Sequence, residues 1–239
     1  MPCKLCLADV SLKHSHVIPE FLYRPGYDEK GRLIEIEGDS GRKAFVQKGY
    51  REYLLCGNCE QTFSRLEKFF ADYWYQTSPL PDPAPEGGVF LNVEYGRFKL
   101  FLLSILWRAS VSSRDEFAAV RLGPFEEEAR LMLLNADAGR DTRFQIFGCV
   151  YLLPETRTPC HGTIMPPSRA RLPNGTTGYE FIFGGVGWFY IVSKQVVQSI
   201  RAGALSSSGT MALPVNSLSD DSTFTKVFAT HLENARRRR

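Results

Sequence analysis

The chain has no long hydrophobic run, no leader-like opening and no strong net charge. Its longest apolar stretch, residues 98–107, is about ten residues and includes Lys99, whereas a membrane-crossing helix needs roughly 20. No charged-then-apolar segment opens it, because Cys3 already belongs to a motif. Paired cysteines without a secretion leader are expected to stay reduced, which points to the cytoplasm. The formal charge is +3, and taking away the four arginines at 236–239 leaves −1. A broadly basic surface that coats nucleic acid is therefore excluded; any such binding must use local patches or that tail. A terminal arginine run is otherwise a solvated end. No internal repeat is visible. What the chain does have is 44% hydrophobic and 13% aromatic residues over 239 positions. That is ample for a core, in one large domain or two small ones.

Four of the six cysteines fall in two tight pairs, Cys3-Lys4-Leu5-Cys6 and Cys56-Gly57-Asn58-Cys59. A C-x-x-C turn aims two sulfurs at one point, and two such turns supply the four thiolates of a closed tetrahedral zinc site. The competing reading is two separate turns with buried thiols. A redox dithiol is disfavoured, since no βαβ pattern surrounds either pair. A zinc ion saturated by sulfur holds geometry and does no catalysis, which needs an open coordination position.

Along the chain, residues 1–16 read as a knuckle and a short strand delivering His14, Ser15 and His16. Pro19 opens a helical turn that carries Glu20 to Tyr23. Residues 31–37 and 43–47 read as strands joined by a turn at 38–41. Residues 50–55 then lead into the second cysteine pair. From Glu60 to about Gln76, Phe63, Leu66, Phe69, Phe70, Tyr73 and Trp74 mark one helical face. Residues 78–88 hold four prolines and two glycines, a linker. Beyond it, 97–111 reads as a helix apolar nearly all round, 124–135 as a second helix with Pro124 at its start, and 221–234 as a third. Segments 143–153, 179–183 and 188–192 read as strands. The expected architecture is α+β. A zinc-bound treble-clef or ββα unit (1–77) precedes the linker (78–88), an α+β domain with a small, mostly antiparallel sheet (89–235) and a basic tail (236–239).

The order Cys-x-x-Cys, then Ser15-His16-Val17-Ile18-Pro19, then Cys-x-x-Cys and Glu60 resembles the four-cysteine form of the HNH, or ββα-metal, endonucleases, which includes the phage endonuclease VII type. The resemblance covers residues 3–70. It implies a metal-dependent hydrolase of phosphodiester bonds in nucleic acid, with DNA ahead of RNA as partner. It puts His16 in the place of the general base, a role that imidazole suits. Ser15 stands where the family has a metal-binding acid, and Glu60 where it has Asn or His, so both metal positions depart from the pattern. Glu60 offers the oxygen that Mg²⁺ or Mn²⁺ prefers, whereas the Ser15 hydroxyl is a weak ligand. The resemblance thus implies structural zinc on Cys3, Cys6, Cys56 and Cys59, and a catalytic Mg²⁺ or Mn²⁺ on Glu60 and Ser15. The alternative is a catalytically silent zinc module that binds nucleic acid or a protein.

Other candidates have plainer readings beside the functional one. Glu67, seven residues after Glu60, is too far along a helix to bind the same ion directly; it reads as a solvated acid ahead of an acid that supports the metal's ligands from outside. Asn58 supports its turn. Lys99, Trp107 and Arg108 could make a phosphate-and-stacking surface, but such residues in a Leu-rich helix more often cap a core edge. Cys149 reads as a small buried thiol, and a nucleophilic Cys160 would need His161 to face it across space, which adjacency in sequence does not provide. Gly184 to Gly187 reads as a hairpin turn between strands.

Overall fold

A computed structural model describes residues 1–36, 43–46, 49–81, 88–153, 156–172 and 175–217. The expected turn at 38–41, part of the 78–88 linker, the expected helix at 221–234 and the 236–239 tail lie outside these residues. The architecture is α+β, with helices and small antiparallel and mixed sheets.

Strand β1 (Leu12–His16) pairs antiparallel with β4 (Arg51–Cys56), setting Leu12 opposite Cys56 and His16 opposite Arg51. Between them lie helix α1 (Glu20–Tyr23) and the antiparallel pair β2 (Leu33–Ile36) and β3 (Lys43–Val46). Helix α2 (Gly57–Ala71) starts three residues earlier than the apolar pattern alone suggests. The second cysteine turn is itself its first turn, so Cys59 and Glu60 are already helical. A π-helical turn, Asp72–Gln76, extends it and buries Trp74.

Strand β5 (Val89–Asn92) precedes helix α3 (Tyr95–Val111), which Glu94 caps by accepting from the backbone N–H groups of Gly96 and Arg97. That is the usual service of an N-cap carboxylate. Every α3 residue from Phe98 to Ala109 is buried, so this helix forms the centre of the molecule. Phe70 of α2 stacks on Phe101 at 4.0 Å between ring centroids, and Phe63 meets Trp107 edge-on. Helix α4 (Pro124–Leu134) ends where Ala136 takes a positive φ.

The five-stranded sheet is built from β6 (Gln145–Leu152), β7 (Met165–Arg171), β8 (Thr177–Phe183), β9 (Val186–Val192) and β11 (Val215–Ser217), in the order β11-β6-β9-β8-β7. Only β11 runs parallel to its neighbour. Strand β10 (Thr210–Leu213) pairs with β5 instead. The β8–β9 connection is a two-residue turn, Gly184-Gly185, with both φ angles positive, as the favoured hairpin turns require. Trp74 donates its indole N–H to the Gly184 carbonyl at 2.9 Å, tying the end of α2 to this turn. Among the described residues, no helix is long and apolar enough to cross a membrane.

Candidate metal centre and the histidine hairpin

The N-terminal turn is shaped by its own backbone. Leu7 N–H donates to the Cys3 carbonyl, Cys3 N–H donates to the Ala8 carbonyl, and Leu7 adopts φ +62° to close the loop. Lys4 N–H donates to the Leu54 carbonyl, and Cys56 N–H to the Cys3 sulfur, so β4 docks the first pair against the second. From the other side, an Arg130 guanidinium N–H of α4 donates to the Leu5 carbonyl.

The outcome is a group of four sulfurs, from Cys3, Cys6, Cys56 and Cys59, all within 4.8 Å of one another. Cys6 Sγ and Cys56 Sγ are 3.8 Å apart. A tetrahedron with metal–sulfur bonds of 2.3 Å has edges of about 3.8 Å, so this donor set fits a tetrahedral ion. The thiols also compete with one another. Burial and the neighbouring thiols push Cys59 far above its ordinary value. Burial likewise raises Cys3, but backbone N–H groups of Cys6, Cys56 and Leu5 outweigh it and bring Cys3 down to about 7. Four packed sulfurs cannot all ionise without a cation among them.

Ser15 and Glu60 stand apart from this group. The Ser15 hydroxyl is buried and spent on backbone, accepting from Leu55 N–H and donating to the Lys13 carbonyl, each at 3.3 Å. Glu60 Oε1 is buried and has no hydrogen-bond partner among the described residues. An orphaned carboxylate oxygen is costly. No other set of three or more Cys, His, Asp or Glu side chains among the described residues is grouped to hold an ion.

His16 closes β1, and one turn of chain further on Glu20 comes back to it. His16 Nε2 lies 2.6 Å from Glu20 Oε2. At that distance the two atoms are within hydrogen-bond reach, and neither has any other partner among the described residues. The Tyr27 hydroxyl donates to the other Glu20 oxygen. Burial, and then the charge of Arg51, push the His16 imidazole down to about 4 in spite of Glu20, with Arg108 adding to the fall. At neutral pH the ring is therefore uncharged.

Arg108 explains two further residues. It is 2% exposed, and its Nη1 donates both to the His16 carbonyl at 2.9 Å and to Glu67 Oε1 at 2.8 Å. Glu67 is thus not the solvated acid expected from its position: its side chain is 26% exposed and paired. Lys99, Trp107 and Arg108 are buried, so they make no phosphate surface and follow the plainer core reading. Cys149 and Cys160 are buried free thiols, pushed by that burial up to about 12 and about 11.

Glu20, Arg51 and Arg108 went unmarked as neighbours of His16. The His16–Glu20 spacing of four, with Pro19 opening a helical turn between them, could have revealed the first. Arg51 depends on strand register and Arg108 on tertiary packing, and neither leaves a local signature. Comparisons with protein-family models, curated proteins and solved structures return no match.

Proposed function

We propose that this protein is an HNH-like endonuclease, with a zinc ion on Cys3, Cys6, Cys56 and Cys59 bracing a β1–β4–α2 unit of treble-clef type. The observation that carries the reading is the neutral, half-buried imidazole of His16, held at Nε2 by a carboxylate, on a hairpin whose base is a four-thiolate centre. A reduced, cytoplasmic setting keeps those thiols available as ligands.

In the reaction, a water beside the phosphodiester loses its proton to the free ring nitrogen of His16. Glu20 holds the ring in place and offsets the charge that the ring acquires. The carboxylate–imidazole contact plays the orienting part that such contacts play for general bases elsewhere. Low basicity lessens the driving force for proton transfer, and ensures that the ring is never blocked by a proton near pH 7. Arg51, opposite His16 across the hairpin, supplies positive charge for the phosphate. A divalent Mg²⁺ or Mn²⁺ ion, when bound, would supply charge at the leaving oxygen. Glu60, with its unpartnered oxygen, is the residue to hold it, and Ser15 would first have to give up its backbone bonds. Nucleic acid, DNA before RNA, is the substrate.

The test is cleavage of DNA and RNA by the full chain with Mg²⁺ or Mn²⁺ supplied. His16→Ala should lower the rate about 10²–10⁴-fold while the circular dichroism of the fold is kept. Full activity in that variant removes His16 from the chemistry. The second reading, a silent zinc module that binds nucleic acid or a protein, draws on Ser15, whose hydroxyl is fully engaged with backbone. Binding without cleavage, indifferent to added Mg²⁺ or Mn²⁺, selects it.

A further inference from the structure

The β1–β4 hairpin has two unlike faces. Ser15 and Glu52 are cross-strand partners and turn inward. Ser15 is buried, and Glu52 accepts from the hydroxyls of Ser112 and Ser113 at 2.6 Å each. The neighbouring pairs, His14 with Tyr53 and His16 with Arg51, fall on the opposite face, because side chains alternate along a strand.

On that outer face His14 and Tyr53 are both exposed, Tyr53 at 58%, and their rings stack at 5.0 Å with 26° between planes. They form a small aromatic plate open to solvent. One pair further along, about 7 Å by strand geometry, come His16 and Arg51. Arg51 Nε is buried and has no hydrogen-bond partner among the described residues. A buried cationic donor without an acceptor is expensive to keep, and an anion at this spot would relieve it. A planar ring site and an anion site thus adjoin on one rigid hairpin, beside the imidazole.

We propose that this face binds one unpaired nucleotide of a nucleic-acid strand, its base on the His14–Tyr53 plate and its phosphate at Arg51. The strand that reaches His16 is therefore single-stranded or locally opened, because a paired base has its faces covered within the duplex and must leave the stack to lie on protein. The proposal rests on the nuclease reading for any cleavage of the bound strand, but the binding itself is separable.

The experiment uses the full chain carrying His16→Ala, so that bound strands stay intact. Fluorescence anisotropy is measured with labelled single strands of DNA and of RNA and with matched duplexes, and a 2-aminopurine base reports stacking by the loss of its emission. Single strands should bind at least about ten-fold more tightly than duplex. Tyr53→Ala should weaken them roughly ten-fold or more and restore the emission, as loss of a base–aromatic stack does, and Tyr53→Trp should retain both. Arg51→Met should weaken binding and flatten its salt dependence by about one phosphate contact. Equal affinity for duplex and single strand, or a Tyr53→Ala variant with unchanged affinity and emission, overturns the proposal even if the protein cuts nucleic acid. Stack-dependent binding by a wild-type chain that cuts nothing upholds it and overturns the nuclease reading instead. The DNA and RNA arms tell which sugar the face accepts.

Discussion

All eight residues of β6 are buried, whereas along β1 only Ser15 is. In the central sheet, strands β6, β8 and β9 are covered on both faces. Its strands draw stability from apolar side chains, each contributing about 1.5–3 kcal/mol when fully buried. The β1–β4 hairpin is less fully covered: Lys13, His14 and Tyr53 are exposed, whereas Leu54, Leu55 and Cys56 at its other end are buried beside the four sulfurs. The four sulfurs are grouped to hold an ion, which would add its own bonds to the packing of Val17, Leu54 and Leu55. The exposed His14–Tyr53 plate and His16 sit on this less fully buried pair of strands.

The largest way to break that contrast is to remove the ion. Metal analysis should find one zinc per chain, and Cys59→Ser or a strong chelator should abolish it. In isolated zinc-finger peptides the ion contributes about 10–16 kcal/mol to folding. Hydrogen exchange should then show the amides of Cys3, Lys4 and Cys56 losing protection while those of β6, β8 and β9 keep theirs. Equal loss in the sheet would mean that both regions depend on the ion, and the contrast between them would fail.

A smaller effect tests the seam between the regions. Arg108 stands on the central helix, yet its guanidinium serves the His16 carbonyl and Glu67. Glu67→Gln leaves a buried guanidinium without its counter-charge, a loss expected to cost about 3 kcal/mol. Urea denaturation would measure it. Arg108→Met together with Glu67→Gln should recover part of that loss, since an uncharged pair needs no compensation. A double variant no better than the single one would show that Arg108 matters through the His16 carbonyl instead.

How much of this was legible varied with the kind of signal. The cysteine spacing announced the four-thiolate group, because C-x-x-C constrains its sulfurs locally. The all-round apolar pattern of residues 97–111 announced the central helix for the same reason, and paired glycines announced the β8–β9 turn. Strand β7 went unseen because Pro166 and Pro167 lack the N–H that a strand interior uses. It is an edge strand, and its register shifts between Met165 and Ser168, where those prolines fall. Strands β5, β10 and β11 are three or four residues long, too short to show a period. Around His16, the partner four residues on was readable, whereas the arginines arrived only with register and packing. Glu180 misleads in the other direction. It alternates with Tyr179 and Phe181, as a solvent-facing residue would, but β8 is covered on both sides and Glu180 is 5% exposed.

That buried carboxyl gives the smallest of the expected effects and the sharpest probe of the sheet. Burial pushes Glu180 up to about 7, against the pull of hydrogen bonds from Tyr151 and Ser168. Tyr151 donates its hydroxyl to Oε1 at 2.9 Å. In the unfolded chain the same group ionises near the ordinary value of 4.5. Between those two values the native state holds the proton more firmly than the unfolded one, so raising the pH drains stability until about pH 7 and no further. Glu180→Gln keeps the acceptor for Tyr151 and has no proton to lose. Its stability relative to wild type should therefore climb by about 2 kcal/mol between pH 5 and pH 7, at no more than about 1.4 kcal/mol per pH unit, and level off above. Urea unfolding of both proteins across that range reads the difference directly. A difference independent of pH would mean that Glu180 ionises equally in both states, and that the sheet interior is far better solvated than its packing implies.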